Sequence, residues 1–274
     1  MNNRDKEIMR ILDSATKYPS IETFHVLGKD GRLVKELTGS GKNLNSFTGV
    51  PIFTEKVNGL NTRVLHFYAG LFGGPDPWDW IIGSRDMFLT ARNDRVPNPA
   101  HGIVEYLEEE AERLFCVEVE STSLVVIYRE IYGGNLTKAS CNYTHDGSIG
   151  DRVFDVQLFN RDELREICKM PIERVSALRE SGELPGRWMN DHELDQFCKM
   201  YNLTRVPVLS PVTLSGPPTD LREAYDWLLC QIAHTKVALG SDKGGDTEGV
   251  VVRTPDRRAI VKLRFENYAR TFQK

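Results

Sequence analysis

The chain has few cysteines, and no two of them are spaced for a shared site. The five cysteines are scattered along 274 residues, and none stands in C-x-x-C spacing. An odd number of scattered cysteines argues against a zinc site and against a disulfide framework. Reduced thiols of this kind are typical of cytosolic proteins, so we expect a cytoplasmic, intracellular location.

Long apolar runs and a strong charge of one sign are also missing. No apolar stretch approaches the roughly 20 residues that a membrane-spanning helix needs, so we expect no membrane partner. The polar N-terminus lacks the layout of a signal peptide. A net charge of −4 does not indicate nucleic-acid binding by itself, although a local basic stripe is enough to neutralise phosphates.

The composition, 40% hydrophobic and 27% charged, is ordinary for a globular protein. Strand patterns and helix patterns follow one another along the chain. We predict an α+β fold, in which antiparallel sheets are flanked by helices. Asn58-Gly59 separates two strand patterns and predicts a hairpin turn. Residues 1–274 are interpreted as a single domain, with an N-terminal extension at 1–45 and a helical insertion at 161–240. Gly39-Ser40-Gly41-Lys42 lacks the spacing of a phosphate loop.

Three short motifs stand in a fixed order along the chain. Lys56 and Gly59 form a K-x-x-G on a predicted strand; Glu248–Arg253 follows as E-G-V-V-V-R, and Lys262–Arg264 as K-x-R. This order resembles the covalent nucleotidyltransferases, which include polynucleotide ligases and mRNA capping enzymes. Over residues 50–268 the chain most resembles an ATP-dependent RNA ligase of the nick-sealing branch typified by the second phage-type RNA ligase. The resemblance implies a nucleotidyltransferase domain of the ATP-grasp-like ligase kind.

The resemblance implies that Lys56 is the nucleophile. In the family, this lysine attacks the α-phosphorus of ATP, forms a lysyl–AMP phosphoramidate and releases pyrophosphate. An ammonium group cannot attack, so the amine has to lose a proton, which burial and neighbouring cations favour. Lys262, Arg264 and a bound metal would supply that positive field. Taken alone, Lys56 would be a solvated strand lysine.

The same motif implies nucleotide contacts beside the nucleophile. Glu55, Asn58 and Gly59 are expected at the nucleotide. Asn58 and Gly59 would shape the turn that points Lys56 into the pocket. Many relatives carry aspartate at the position of Asn58; asparagine tolerates the same left-handed backbone but brings no charge.

Three residues between the motifs complete the implied nucleotide pocket. Arg85 would engage a phosphate through bidentate contact, Glu130 the ribose hydroxyls, and Phe154 would stack on the adenine. Each has a structural alternative. Arg85 would then be a surface arginine, Glu130 would form an ion pair with a neighbouring arginine, and Phe154 would belong to the core.

The late motifs imply the groups that handle charge. Glu248 would organise a metal ion or the lysine amine, and Gly249 would let the backbone approach closely. Lys262 would contact the α-phosphate and stabilise its developing charge. Arg264 replaces the second lysine that is usual here, which keeps the charge but not the geometry. The implied cofactors are ATP and Mg²⁺ or Mn²⁺, held by carboxylates, phosphates and water.

The implied activity is that of an RNA ligase. AMP would pass from the lysine to a 5′-phosphate end, which is then sealed to a 3′-hydroxyl, so the implied partner is nucleic acid: RNA ends, including those of a nicked duplex. One alternative keeps the chemistry and changes the acceptor, as in a capping guanylyltransferase or a DNA nick ligase. Another is a non-catalytic nucleic-acid-binding relative. The natural acceptor, a nick, a single strand or a broken tRNA, stays open.

The sequence shows no separate OB-fold after the last motif, although many relatives continue into a module that grips the duplex. We therefore expect a minimal ligase, a subunit whose protein partner supplies that module, or an enzyme for specialised ends. The sequence assigns no role to residues 1–45 or to the loop at 75–80.

Overall fold

A computed structural model describes residues 3–68, 78–91, 102–114, 119, 121–210, 216–240 and 244–273. Residues 75–77 of the loop noted above lie outside this range. The described part is a mixed α+β fold built on two main sheets, and every strand pairing in those sheets except one is antiparallel. The predicted fold class is confirmed.

The larger sheet has six strands in the order β10-β9-β8-β5-β6-β7. Its central strand β8 is buried along nearly its whole length, which explains the apolar run in its sequence. The strands are β5 Leu60–Tyr68, β6 Trp78–Ser84, β7 Phe88–Ala91, β8 Leu124–Gly133, β9 Ile149–Phe159 and β10 Arg187–Trp188.

The smaller sheet has four strands in the order β1-β12-β11-β4. The N-terminal strand β1 runs parallel to β12 and completes one edge of the sheet. Residues 22–23 therefore belong to the same sheet as the late motifs. A separate antiparallel hairpin of β2 and β3 follows β1. These strands are β1 Glu22–Thr23, β2 His25–Leu27, β3 Leu33–Leu37, β4 Ile52–Lys56, β11 Gly249–Arg253 and β12 Ile260–Arg264.

The hairpin predicted at Asn58-Gly59 is wrong. Strand β4 pairs with β11, whereas β5 pairs with β6 and β8, so the two residues carry the chain from one sheet to the other. Neither residue has a positive φ, which the favoured two-residue hairpin turns require. Gly59 is needed for another reason: a Cβ there would lie 2.1 Å from the carbonyl oxygen of Ile131.

The described part contains eight α-helices. Four of them lie within 161–240, as expected for the helical stretch. The Gly39–Lys42 segment is the start of α2, whose N-cap is Thr38. The helices are α1 Asn3–Ala15, α2 Gly39–Asn45, α3 Ile103–Arg113, α4 Arg161–Ile167, α5 Ile172–Ser181, α6 Asp191–Met200, α7 Leu221–Gln231 and α8 Phe265–Phe272. In the described ranges, no helix combines the length and the apolar character that a bilayer crossing requires.

Helix α1 packs into the main core. Ile11, Leu12 and Ala15 are buried against the six-stranded sheet and α5. Full burial of one such leucine contributes about 1.5–3 kcal/mol. The guanidinium of Arg63, in the centre of the sheet, donates to Asp13 Oδ1 at 2.6 Å. The N-terminal extension is therefore part of the same packed unit as the motifs.

Candidate active site

Lys56 lies at the end of β4, where the two sheets meet. Successive side chains on a strand point to opposite faces, so Lys56 and Thr54 share a face, and Phe53 and Glu55 share the other. The Lys56 Nζ lies 2.5 Å from Glu248 Oε2, and its side chain is 24% exposed. The nucleophile candidate therefore faces a partly buried acidic group rather than bulk solvent.

Glu248 connects the first and last motifs. Its Oε1 lies 2.7 Å from Arg264 Nε, while its Oε2 contacts Lys56. The next residue, Gly249, pairs with Lys56 on one side and with Arg264 on the other. Its φ is +151°, and a Cβ there would lie 1.9 Å from the carbonyl oxygen of Leu263. The close backbone approach expected at Gly249 is confirmed.

Lys262 on β12 brings a further cation to this site. Burial lowers the pKa of its amine, and the charges of Lys56 and Arg264 lower it further. Lys56, Lys262 and Arg264 therefore lie close enough together for their charges to interact.

Glu130 is a half-buried carboxylate beside the nucleophile. Its Oε1 accepts a hydrogen bond from the backbone N–H of Gly59 at 3.0 Å. Burial raises the pKa of this carboxyl group to about 7, against the lowering effect of the Lys56 charge and the Gly59 hydrogen bond. No arginine ion pair with Glu130 is found in the described part of the chain. Its contact with Gly59 holds the segment that follows Lys56.

Replacing Glu130 by glutamine should change how stability depends on pH. A folded-state pKa of about 7, above the ordinary 4.5, means that the native protein binds a proton which the unfolded chain has released. This contribution to the free energy of unfolding is full below pH 4.5 and is lost as pH rises towards 7. We expect Glu130→Gln to be more stable than wild type at pH 8 and to lose that advantage at pH 5. Chemical denaturation at both pH values measures this; an equal difference at the two pH values would contradict it.

Glu55 lines a cavity at this site, but its carboxylate is already bonded. It accepts hydrogen bonds from Thr235 Oγ1, from the backbone N–H of Lys236 at 2.8 Å and from Thr247 Oγ1 at 3.4 Å. Burial raises the pKa of the Glu55 carboxyl group. These bonds tie β4 to residues 235–247, an anchoring role that the sequence did not reveal.

Tyr143 is a site residue that the sequence analysis missed. Its buried hydroxyl oxygen accepts a hydrogen bond from the backbone N–H of Asn58 at 2.7 Å. Tyr143 and Glu130 thus hold the consecutive N–H groups two and three residues after the nucleophile. No local pattern distinguishes this tyrosine from a core residue.

Arg85 and Phe154 both line the cavity that contains Lys56. Arg85 is exposed at the end of β6, and no ion pair holds it within the described residues. Phe154 on β9 is half-buried, and its ring lies edge-on to that of Tyr18 with centroids 4.9 Å apart.

Two cavities meet at these residues. One extends towards Phe154, and the other towards Glu248 and Arg264. Five residues line both: Lys56, Asn61, Arg85, Glu130 and Lys262. The junction of the two cavities, formed by these five residues, is therefore charged, whereas the residues that line only the first cavity are mainly apolar. Asn58 and Gly59 line only the second cavity. This arrangement can hold a planar apolar group on one side and an anionic one at the junction.

A protein-only metal cage is absent from the described residues, where no three His, Cys, Asp or Glu side chains cluster. Glu248, Glu130 and Asp86 are the carboxylates that line the second cavity. Magnesium is usually held by one or two carboxylates together with substrate phosphates and water. The acidic groups present fit that mode and do not fit a site built from protein ligands alone.

A sequence model of the RNA ligase family matches residues 51–265. The chain belongs to the RNA ligase family. No protein with a curated description matches the sequence significantly. The matched range contains all the motif residues and leaves out the first 50.

Solved structures of an RNA ligase from Naegleria gruberi share this fold. The structure with pyrophosphate is 13% identical, with a TM-score of 0.50, and the match covers 93% of this chain and 62% of the other. The structure of a mutant with AMP and manganese is 14% identical, with a TM-score of 0.51, and the match covers 93% of this chain and 58% of the other. The structure of another mutant with ATP and manganese is 13% identical, with a TM-score of 0.50, and the match covers 94% of this chain and 58% of the other. This chain therefore spans about three fifths of the length of those ligases.

Proposed function

We propose that the chain is an ATP-dependent RNA ligase that works through a lysyl–AMP intermediate. The observation that carries the proposal is the position of Lys56, whose Nζ lies 2.5 Å from Glu248 at the junction of the two cavities. Family membership supports the reaction class, and the Naegleria ligase structures solved with ATP or AMP support the nucleotide.

In the first step, the Lys56 Nζ attacks the α-phosphorus of ATP, and the bond to pyrophosphate breaks. The amine must be neutral to attack, and Glu248 Oε2 is close enough to receive its proton. Lys262 and Arg85 at the junction face the phosphates and compensate their charge. Phe154 stacks on the base.

Two further displacements complete the reaction. The 5′-phosphate of an RNA strand attacks the phosphorus of lysyl–AMP, and Lys56 leaves as the amine. A 3′-hydroxyl then attacks the activated phosphate, a phosphodiester forms and AMP leaves. Each step exchanges one bond at phosphorus for another, so positioning and charge compensation supply most of the rate enhancement.

A divalent cation fits this proposal. Glu248 and Glu130, with triphosphate oxygens and water, would hold Mg²⁺ or Mn²⁺, and the ion would neutralise charge on the phosphates when bound. The Naegleria structures solved with manganese support a cation of this kind. We also propose an intracellular setting, supported by the four described cysteines, all of them free thiols.

Labelling tests the proposal directly. The purified chain is incubated separately with ATP, GTP and NAD that carry a label in the transferred nucleotide. ATP is expected to label the protein. Labelling by GTP alone would indicate a capping-type enzyme, labelling by NAD alone would overturn the ATP assignment, and no labelling would favour a non-catalytic relative.

A panel of nucleic-acid ends tests the acceptor. It contains 5′-phosphorylated and pre-adenylated RNA and DNA, each nicked and free. Sealing of RNA ends is expected; sealing confined to DNA would contradict the proposal. A protein partner that grips the RNA end is also proposed, and rapid sealing of a nicked duplex by the chain alone would speak against it.

A further inference from the structure

Residues ahead of the family-matched region form one wall of the first cavity. Tyr18, Pro19, Ser20 and Ile21 line it opposite strands of both sheets. These residues connect α1, which is packed in the core, to β1, which pairs with β12. The wall is thus anchored at both ends.

Most of the residues found only in the first cavity are apolar. They are Tyr18, Pro19, Ile21, Val57, Phe154, Val206, Val251 and Ile260, with Ser20, Thr54, Glu55 and Arg253 as the polar members. The charged residues lie at the junction with the second cavity. A nucleotide with its α-phosphate beside Lys56 would therefore place its base against the apolar wall, where aromatic rings stack on bases.

Tyr18 contacts the ring that would meet the base. The Tyr18 and Phe154 rings are nearly perpendicular, with an interplanar angle of 87° and centroids 4.9 Å apart. Such edge-to-face contacts have a defined geometry and stabilise the pair beyond the burial of its area. Tyr18 therefore supports the ring of Phe154, which also lines the cavity.

Tyr18 is held in turn by a hydrogen-bonded cluster with Asp155 and Arg257, here called the latch. Its hydroxyl donates to Asp155 Oδ2 at 2.9 Å and accepts from Arg257 Nη2 at 2.9 Å. Arg257 also pairs with Asp155 through Nε at 2.5 Å, and its guanidinium lies 3.6 Å from the ring centroid of Trp188. Asp155 directly follows Phe154, so the latch joins the base-side strand to the N-terminal segment.

The φ of Arg257 is +60°, a left-handed conformation that is unfavourable for a non-glycine residue. From this conformation Arg257 makes its ion pair with Asp155, its hydrogen bond to Tyr18 and its contact with Trp188. A tight turn between β11 and β12 alone would not need an arginine there.

We propose that Tyr18 is a positioning residue for nucleotide binding, which fixes Phe154 edge-on and, with Pro19–Ile21, closes the base end of the pocket. The inference rests on the proposed function, because it assumes that the first cavity receives the purine base of ATP. The N-terminal extension then contributes to ATP affinity, although it lies outside the region that defines the family.

The test compares Tyr18→Ala and Tyr18→Phe with wild type in the formation of lysyl–AMP as a function of ATP concentration. A stack worth about 1–3 kcal/mol corresponds to about 5–150-fold in affinity. We expect the KM for ATP to rise about tenfold in Tyr18→Ala and a few-fold in Tyr18→Phe, which keeps the ring and loses the latch. The kcat at saturating ATP is expected to stay within about twofold, because the chemistry takes place at the junction.

Tyr268→Phe is the matched control. It removes a buried tyrosine hydroxyl that lies 2.9 Å from His25 Nδ1, in a core cluster away from the cavity. We expect Tyr268→Phe to lose about as much thermal stability as Tyr18→Phe and to keep the wild-type KM for ATP. Phe154→Ala should raise the KM at least as much as Tyr18→Ala.

The outcomes separate this inference from the proposed function. If wild type is not labelled by ATP, the proposed function fails. If wild type is labelled and neither Tyr18 variant changes the KM, only the inference fails. A fall in kcat with an unchanged KM would also overturn it. If Tyr18→Ala does not fold, Tyr18→Phe decides alone.

Discussion

Lys56→Ala should abolish covalent labelling by ATP and leave the fold intact. The amine is the group that would form the bond to phosphorus, and within the described residues no other lysine forms an ion pair with Glu248. Its side chain is partly exposed, and Glu248 keeps its contact with Arg264, so we expect little loss of thermal stability. A labelled band on a denaturing gel, measured together with a melting curve, gives both results.

Two further variants sharpen this test. Lys56→Arg keeps a positive charge beside Glu248, but a guanidinium remains protonated and cannot attack. It should therefore fold normally and remain unlabelled. Lys199→Ala removes an exposed lysine paired with Asp195 on α6 and should label like wild type. Labelling of Lys56→Arg would show that Lys56 is not the nucleophile.

Gly249→Ala should cause the largest loss of stability among single-methyl additions at the site. A residue with a side chain is disfavoured at φ +151°, and its Cβ would lie 1.9 Å from the backbone oxygen of Leu263. Backbone strain and overpacking together cost about 2–5 kcal/mol. Because Gly249 pairs with both Lys56 and Arg264, the shift would also separate the charged groups. We expect labelling to fall by at least about tenfold, because a free-energy loss of about 1.4 kcal/mol already changes an equilibrium constant by that factor.

Gly216→Ala is the control for this substitution. A Cβ at Gly216 would meet nothing within 4 Å, and its φ is not in the left-handed region. Chemical denaturation of the two variants should therefore show a loss at Gly249 and almost none at Gly216. Wild-type stability in Gly249→Ala would show that β11 and β12 can move apart without cost.

The motif segments were predictable because each carries a local signature. Lys56 lies at the end of a strand, as predicted for the K-x-x-G motif, and the two late motifs lie on paired strands. The Asn58-Gly59 pair misled the prediction. Its local turn preference was overridden by pairing of β4 with β11, nearly 200 residues later in the chain. Only the backbone of Ile131 explains why glycine is needed at position 59.

The residues that support the site could not be predicted in this way. Tyr143 and Tyr18 come from segments with no recognisable pattern, yet both bond to motif elements. Glu55 was expected at the nucleotide because of its place in the motif, and its carboxylate is instead bonded to residues 235–247. Helix α8, directly after the last motif, was also not predicted.

The sequence by itself determined the reactive groups, their order and the strands that carry them, because those properties depend on residue type and local periodicity. The tertiary structure decided which strands became neighbours. It also decided which groups lie close enough to exchange a proton, to pair their charges or to line the same cavity. Those relations depend on distances between segments far apart in the chain. Burial then raised the pKa of Glu130 and lowered that of Lys262, since a carboxylate or an ammonium is costly where water is excluded.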